Sequence, residues 1–125
     1  TTLHAVTAVQ ALAELTQRCG LEGEDVFVDL WKRYWIWLSA LYIEKGRPAL
    51  LPTVRAESAP QEDWSALVAR ARATPEVHLI KMTYSCRWLD EAFGPDPLYK
   101  LAVAGMLDEG PTRPRRRATM TTPAS

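Results

Sequence analysis

Residues 75–94, PEVHLIKMTYSCRWLDEAFG, begin with a proline and end with a glycine, which are the residues expected at the two ends of an α-helix. Proline loses no needed N–H group at a helix start, and glycine adopts the left-handed conformation that closes a helix. The segment therefore predicts a helix. The interpretation of the rest of the chain depends on which side chains of this helix face inward.

Two faces of this helix differ in polarity when its residues are projected at about 100° per residue. The polar sector, taken as the solvent face, contains Glu76, Thr83, Arg87, Asp90 and Glu91. His78 and Lys81 fall on the opposite side, about 60° apart, so their side chains are able to converge. An unpaired ammonium is costly to bury, so the position of Lys81 on this side needs an explanation. There are three: its amine reaches the edge of the core, it pairs with a carboxylate, or it is chemically modified.

The whole chain predicts an all-α fold of about five helices packed as an irregular bundle, with no sheet. The helices are expected at residues 3–19, 22–46, 64–73, 75–94 and 98–110. Gly20 ends the first helix, and Asp63 is placed to cap the third. Three prolines and the lack of any periodicity in residues 47–61 predict an extended connection.

Length and composition indicate one domain, because 125 residues with 47% hydrophobic content support a single modest core. We assign residues 1–110 to that helical domain and residues 111–125 to a disordered basic tail. The tail holds four arginines and no acid, so residues 1–110 carry 11 basic and 15 acidic side chains. This net negative charge argues against a nucleic-acid partner for the folded part.

Cysteine usage and hydropathy indicate the compartment. Cys19 and Cys86 stand apart, without a CxxC motif, so neither a disulfide framework nor a thiolate zinc site is expected. The most apolar run, YWIWLSALYI at 34–43, is too short to span a bilayer. We therefore expect a cytoplasmic protein with no membrane contact.

The sequence has no GxGxxG, phosphate-loop, GxSxG or CxxC motif, and its one cluster suited to chemistry is His78 with Lys81, joined by the distant His4. Histidine is a common metal ligand, and helical bundles often hold metals between neighbouring helices. Two histidines alone make an incomplete site. Spacing by itself favours a simpler interpretation, in which both histidines are hydrogen-bonded core residues and Lys81 lies over Trp88 to reach water.

Four segments of the chain are informative together: LHAVTAVQALAEL at 3–15, LWKRYWIWLSALYIEKGRP at 30–48, HLIKMTYSCRWL at 78–89 and DPLYKLAVAGML at 96–107. In this order they resemble the C-terminal part of questin oxidase-like proteins. The resemblance covers about residues 3–107. It implies a helical enzyme that carries out oxygen-dependent, formally Baeyer–Villiger or dioxygenase-type ring cleavage of anthraquinone-type aromatic polyketides.

The resemblance also implies site residues and cofactors. Some family members look like non-haem iron enzymes whose metal is held by histidines and a lysine carboxylated on its side-chain nitrogen, which on this chain gives His4, His78 and Lys81 as ligands of Fe(II). Carboxylation would explain an inward-facing Lys81, because a carbamate anion binds a cation. Dioxygen is the implied co-substrate, with NADPH or a flavin as a candidate reductant. Tyr84 is proposed to donate a hydrogen bond to a quinone oxygen, and the candidate stacking residues for the substrate are Trp31, Tyr34, Trp35 and Trp88.

Family proteins are considerably longer than this chain, and the part that brings their other histidines is absent. The chain is then either a fragment or one subunit of a split enzyme, and we expect the split. A second polypeptide would supply the missing ligands in a heterodimer with a large apolar interface. The alternative function is a non-catalytic helical subunit that stabilises a larger biosynthetic enzyme. The oxygenase hypothesis requires the first and fourth helices to direct His4, His78 and Lys81 toward one cation.

Overall fold

The computed structural model describes residues 2–50 and 60–109 of the chain. Within these ranges all regular secondary structure is helical, which confirms the all-α prediction. The helices are α1 Thr2–Cys19, α2 Asp25–Glu44, α3 Trp64–Arg72, α4 Val77–Phe93 and α5 Pro97–Glu109. The predicted tail at 111–125 and most of the predicted connection lie outside the described residues.

Two predicted helix-end signals agree with the structure, whereas α2 begins at Asp25, three residues after its predicted start. Oδ1 of Asp63 accepts a hydrogen bond from the backbone N–H of Ala66 at 2.8 Å, so Asp63 caps α3 as its position predicted. Gly20 follows α1 with φ of 61°, a left-handed conformation that costs glycine little. These local signals mark where α1 ends and where α3 begins.

Helix α4 is the centre of the fold, because α1, α3 and α5 all pack against it. The buried core contains Leu67 of α3, Met82 and Cys86 of α4, and Val103 and Ala104 of α5. Leu67 and Val103 are fully buried. A central helix of this kind buries a wide arc of its surface rather than a narrow stripe.

Polar contacts fix α3 and the turn after α4. The indole Nε1 of Trp64 donates to Oδ2 of Asp90 at 2.8 Å, so the start of α3 lies beside the end of α4 and the two helices are antiparallel. The other oxygen of Asp90 accepts from the backbone N–H of Asp96 at 2.9 Å. At the far end of α3, Nη2 of Arg70 lies 2.9 Å from Oδ1 of Asp108 on α5.

The predicted solvent face of α4 was wrong at Thr83, which is buried at 3% exposure. Its hydroxyl donates to the carbonyl of Leu79 at 2.8 Å, which satisfies the polar group within the helix and makes its burial inexpensive. Glu91 and Arg87 are exposed, as predicted. Residue polarity predicted only part of the exposed face. Three helices pack against α4, and the surface that is buried there includes the hydroxyl-bearing Thr83.

Helix α2 contrasts with the rest of the bundle, since among the described helices it packs against α1 alone. The hydroxyl of Tyr34 donates to the carbonyl of Ala5 at 2.9 Å, and only Phe27 and Leu41 of this helix are buried. Its exposed large apolar residues are Val26, Val28, Leu30, Trp35, Ile36, Trp37 and Ile43. No helix in the described part of the chain has the length and hydrophobicity needed to cross a membrane.

Candidate functional site

The first turn of α4 holds His78 against a carboxylate. Nδ1 of His78 lies 2.8 Å from Oε1 of Glu76, the N-cap residue of α4. The same oxygen accepts a hydrogen bond from the backbone N–H of His78 at 3.0 Å. A carboxylate on Nδ1 favours the tautomer in which Nδ1 carries the proton, and this leaves Nε2 as the atom able to bind a metal or accept a proton.

The electrostatics of this pair follow from the two hydrogen bonds. The backbone N–H of His78, followed by its ring, holds the pKa of Glu76 below its ordinary value of 4.5. Glu76 is therefore a carboxylate at neutral pH. The helix projection predicted for Glu76 only a position on the solvent face. The sequence did hold a signal for the contact with His78. Glu76 lies two residues before this histidine at a helix start, where a side-chain oxygen caps the helix.

His78 also has an unusual position on α4. It belongs to the same side of the helix as Met82, Ser85 and Leu89, at spacings of four, seven and eleven residues. Those three residues are buried, whereas the side chain of His78 is 63% exposed. The side of α4 that carries His78 is thus buried further along the helix, whereas the described residues leave it uncovered at the first turn, where His78 is exposed.

Lys81 is exposed. Of the three explanations for this lysine, the structure supports the first, in which the amine reaches solvent. Burial therefore gives no reason for Lys81 to be carboxylated, and the modification rests on the family resemblance alone.

His4 lies on the outer surface of α1. It is exposed together with Ala11 and Leu15, which follow it at seven and eleven residues on the same side of the helix. The buried side of α1 carries Ala5 and Gln10 instead, and Gln10 faces Ser85 of α4, with 3.4 Å between Oε1 and Oγ. The α1–α4 contact is therefore made by other residues than His4.

The positions of His4, His78 and Lys81 bear on whether the described part of the chain can hold a metal ion by itself. Across residues 2–50 and 60–109, no three side chains of His, Cys, Asp or Glu lie close enough to hold one. His78 and Lys81 are neighbours at i and i+3, but they provide at most two ligands. The described residues therefore do not form a complete metal site by themselves.

The candidate stacking residues on α2 divide between its two sides. Trp31 and Trp35 line an open apolar groove of about 570 Å³ together with Val28 and Ile36. Tyr34 points to α1, where burial raises the pKa of its phenol and keeps it protonated as a hydrogen-bond donor. Its ring meets Trp31 edge-on, with 6.1 Å between centroids.

Trp88 and Tyr84 lie in other places. Trp88 is near the end of α4 and meets Phe93 edge-on at 6.3 Å between centroids. Tyr84 lines a cleft between α3 and α4 whose lining includes neither His78 nor Lys81. Because α2 packs only against α1 among the described helices, the structure does not gather the proposed aromatic residues into one pocket.

Comparison with known proteins identifies a family. A family model described as questin oxidase-like matches residues 1–86, which include His4, His78, Lys81 and Tyr84. The matched range ends before Trp88 and α5, so it is shorter than the stretch of resemblance noted in the sequence. No curated protein and no solved structure matches the chain.

Proposed function

The chain belongs to the questin oxidase-like family, which indicates an oxygenase-type function, and we propose that it is one subunit of an oxygenase whose active site is completed by a second polypeptide. The proposed reaction is oxidative cleavage of a ring in an anthraquinone-type aromatic polyketide. The proposed metal is Fe(II), with dioxygen as co-substrate and NADPH or a flavin as reductant. These details extend the family assignment.

The observation that carries the proposal is the position of His78. It continues the buried side of α4 into a region that the described residues leave open, and Glu76 holds its ring with Nε2 available. A histidine fixed in this way but exposed is suited to a site that another polypeptide covers. Lys81 lies about one helical turn further along and is proposed as the second metal ligand from α4.

His4 is the third proposed ligand, and it is exposed on α1. His4, His78 and Lys81 are all exposed in the described part of the chain, so the proposal requires the remaining ligands, and the wall that encloses them, to come from the partner. An isolated subunit is then expected to have no oxygenase activity. In a complete site the metal would activate dioxygen. His78 and Lys81 would hold the metal in position and contribute charge.

The apolar surface of α2 supports a partner independently of the metal. Trp35 and Ile36 are 67% and 68% exposed, and Trp31 lies beside them along the same groove. Contiguous exposed apolar surface of this kind is typical of an interaction site. Tryptophan is also enriched among the residues that dominate binding energy.

The test begins with the complex purified from its native source. Its iron content and its dioxygen consumption with a reduced hydroxyanthraquinone are measured for the wild type and for His78→Ala and Lys81→Ala. We expect both variants to lose iron and turnover. Lys100→Ala is the matched control, because Lys100 lies on α5 beyond the matched range. Full iron content and unchanged turnover in His78→Ala would refute the proposed role of this chain.

The second candidate function is a non-catalytic accessory subunit that stabilises a larger biosynthetic enzyme. It is favoured by the absence of a three-ligand cluster in the described ranges. In that case Lys81 is an ordinary amine, and His78→Ala leaves turnover intact while substitutions on α2 release the chain from the complex. Native mass of the complex, inspected for a carboxylated lysine, also separates the two functions, because the added carboxylate is expected only for the catalytic subunit.

A further inference from the structure

A cleft of about 180 Å³ lies between α3 and α4, away from His78 and Lys81. Its apolar lining comes from Val68 and Ala71 of α3 and Ile80 of α4. Its volume is below the range of about 300–1,000 Å³ typical of drug-sized ligands. This volume limits a bound ligand to about the size of a single ring.

The polar lining of the cleft is basic and aromatic: it consists of Arg72, Arg87 and Tyr84, with the hydroxyl of Thr83 already bonded within α4. The Nε of Arg87 lies 2.8 Å from Oε1 of Glu91, which leaves its terminal nitrogens available. Among the described residues no carboxylate lies within ion-pair distance of Arg72. The guanidinium group is well suited to bind a carboxylate through paired hydrogen bonds.

We propose that the cleft between α3 and α4 binds a monocyclic aromatic carboxylate of the hydroxybenzoate class. The carboxylate pairs with Arg72 and Arg87, the ring lies on Val68 and Ile80, and Tyr84 covers it from the side. Tyr84 is 55% exposed, so it can adjust to a bound ring without disturbing the core. This site uses neither of the α4 ligands proposed for the metal, and it shares with the oxygenase hypothesis only Tyr84.

The test is a titration of the full chain with 4-hydroxybenzoate at pH 7 and low ionic strength, followed by calorimetry or by ligand-observed NMR. We expect saturable binding, and a loss of affinity of about tenfold or more in Arg72→Gln and in Arg87→Gln, because each removes a charge-assisted hydrogen bond. Arg18→Gln is the matched control. Arg18 is exposed and forms an i,i+4 pair with Glu14, as Arg87 forms one with Glu91.

Neutral 4-hydroxybenzamide tests the role of charge and is expected to bind at least about tenfold more weakly than the acid. The proposal is overturned if the amide binds as well as the acid, if Arg18→Gln weakens binding as much as the cleft variants, or if the wild type shows no saturable binding. Far-UV circular dichroism of each variant shows that the helices are retained. Both cleft arginines are exposed, so their replacement is not expected to unfold the chain.

Discussion

Oε1 of Glu76 lies 2.8 Å from Nδ1 of His78 and 3.0 Å from its backbone nitrogen, so a single carboxylate oxygen both caps α4 and orients the imidazole ring. The two contacts couple helix formation to ring position. If the first turn of α4 frays, His78 loses its fixed orientation at the same time. Glu76 is accordingly a positioning residue for His78.

This contact predicts a pH dependence of stability. The pKa of Glu76 is lowered in the folded chain from its ordinary value of 4.5, chiefly by the backbone N–H of His78. The stabilisation is therefore fully present above about pH 4.5, and it is lost as the pH falls through the lower pKa of the folded state. We expect thermal unfolding to show wild type more stable than Glu76→Gln at pH 7, with the difference shrinking toward pH 3.

Glu24→Gln is the control for that measurement. Glu24 occupies the N-cap position of α2, yet its side chain makes no capping hydrogen bond. Its replacement should give no comparable change in the pH dependence. An equal effect of the two substitutions would show that the loss of a negative charge near a helix start, rather than the contact with His78, explains the result.

Asp90 is expected to be important for stability. Its two oxygens accept from the Trp64 indole and from the backbone N–H of Asp96, so it joins α3 to the turn that follows α4. Asp90→Ala leaves the half-buried indole N–H without its partner, and we expect a loss of about 1–3 kcal/mol in the free energy of unfolding.

Urea denaturation checks that value, with the neighbouring Glu91→Ala as the control. Glu91 forms an exposed pair with Arg87, and such pairs contribute about 0–1 kcal/mol. If both alanine variants lose the same small amount, the Trp64–Asp90 contact does not stabilise the fold.

The two cysteines are expected to differ in reactivity. Burial, followed by the nearby charge of Asp90, raises the pKa of Cys86 to about 11, whereas Cys19 is exposed. At pH 8 a thiol reagent should therefore modify one cysteine in the folded chain and two in denaturant. Cys19→Ser should abolish the fast reaction. Rapid labelling of two thiols under native conditions would contradict the burial of Cys86.

Two apolar residues of α2 are expected to respond differently to the same kind of change. Ile36 is 68% exposed, so Ile36→Ala should alter the free energy of unfolding by less than about 0.5 kcal/mol. Leu41 is 7% exposed, and Leu41→Ala should cost about 2–5 kcal/mol. Chemical denaturation measures both. Similar losses would mean that Ile36 is covered in the isolated chain.

The fold was largely predictable from sequence because its determinants are local. Asp63 caps α3 and Gly20 closes α1 through contacts within a few residues of each other. The inward side of α4 was harder to identify. Thr83 is polar but buried, since the arc covered by three packed helices depends on tertiary arrangement, which residue polarity does not encode.

The candidate site was less predictable for the same reason. The projection placed His78 on the inward side of α4, but whether that side is covered at the first turn depends on neighbours distant in sequence. His4 was assigned by resemblance, and no pattern in α1 indicates that it turns away from α4. The Glu76 contact was local and available in principle, yet a carboxylate at a helix start has several roles that spacing does not distinguish.

Among the described helices α2 is attached to α1 alone, which has a consequence for how this protein unfolds. Three of its five tryptophans, Trp31, Trp35 and Trp37, belong to α2, while α1, α3 and α5 share the core around α4. A helix with one neighbour can detach while the remaining four stay assembled. Fluorescence would then record the release of α2, whereas circular dichroism would average over all five helices, and the two melting curves would not superimpose.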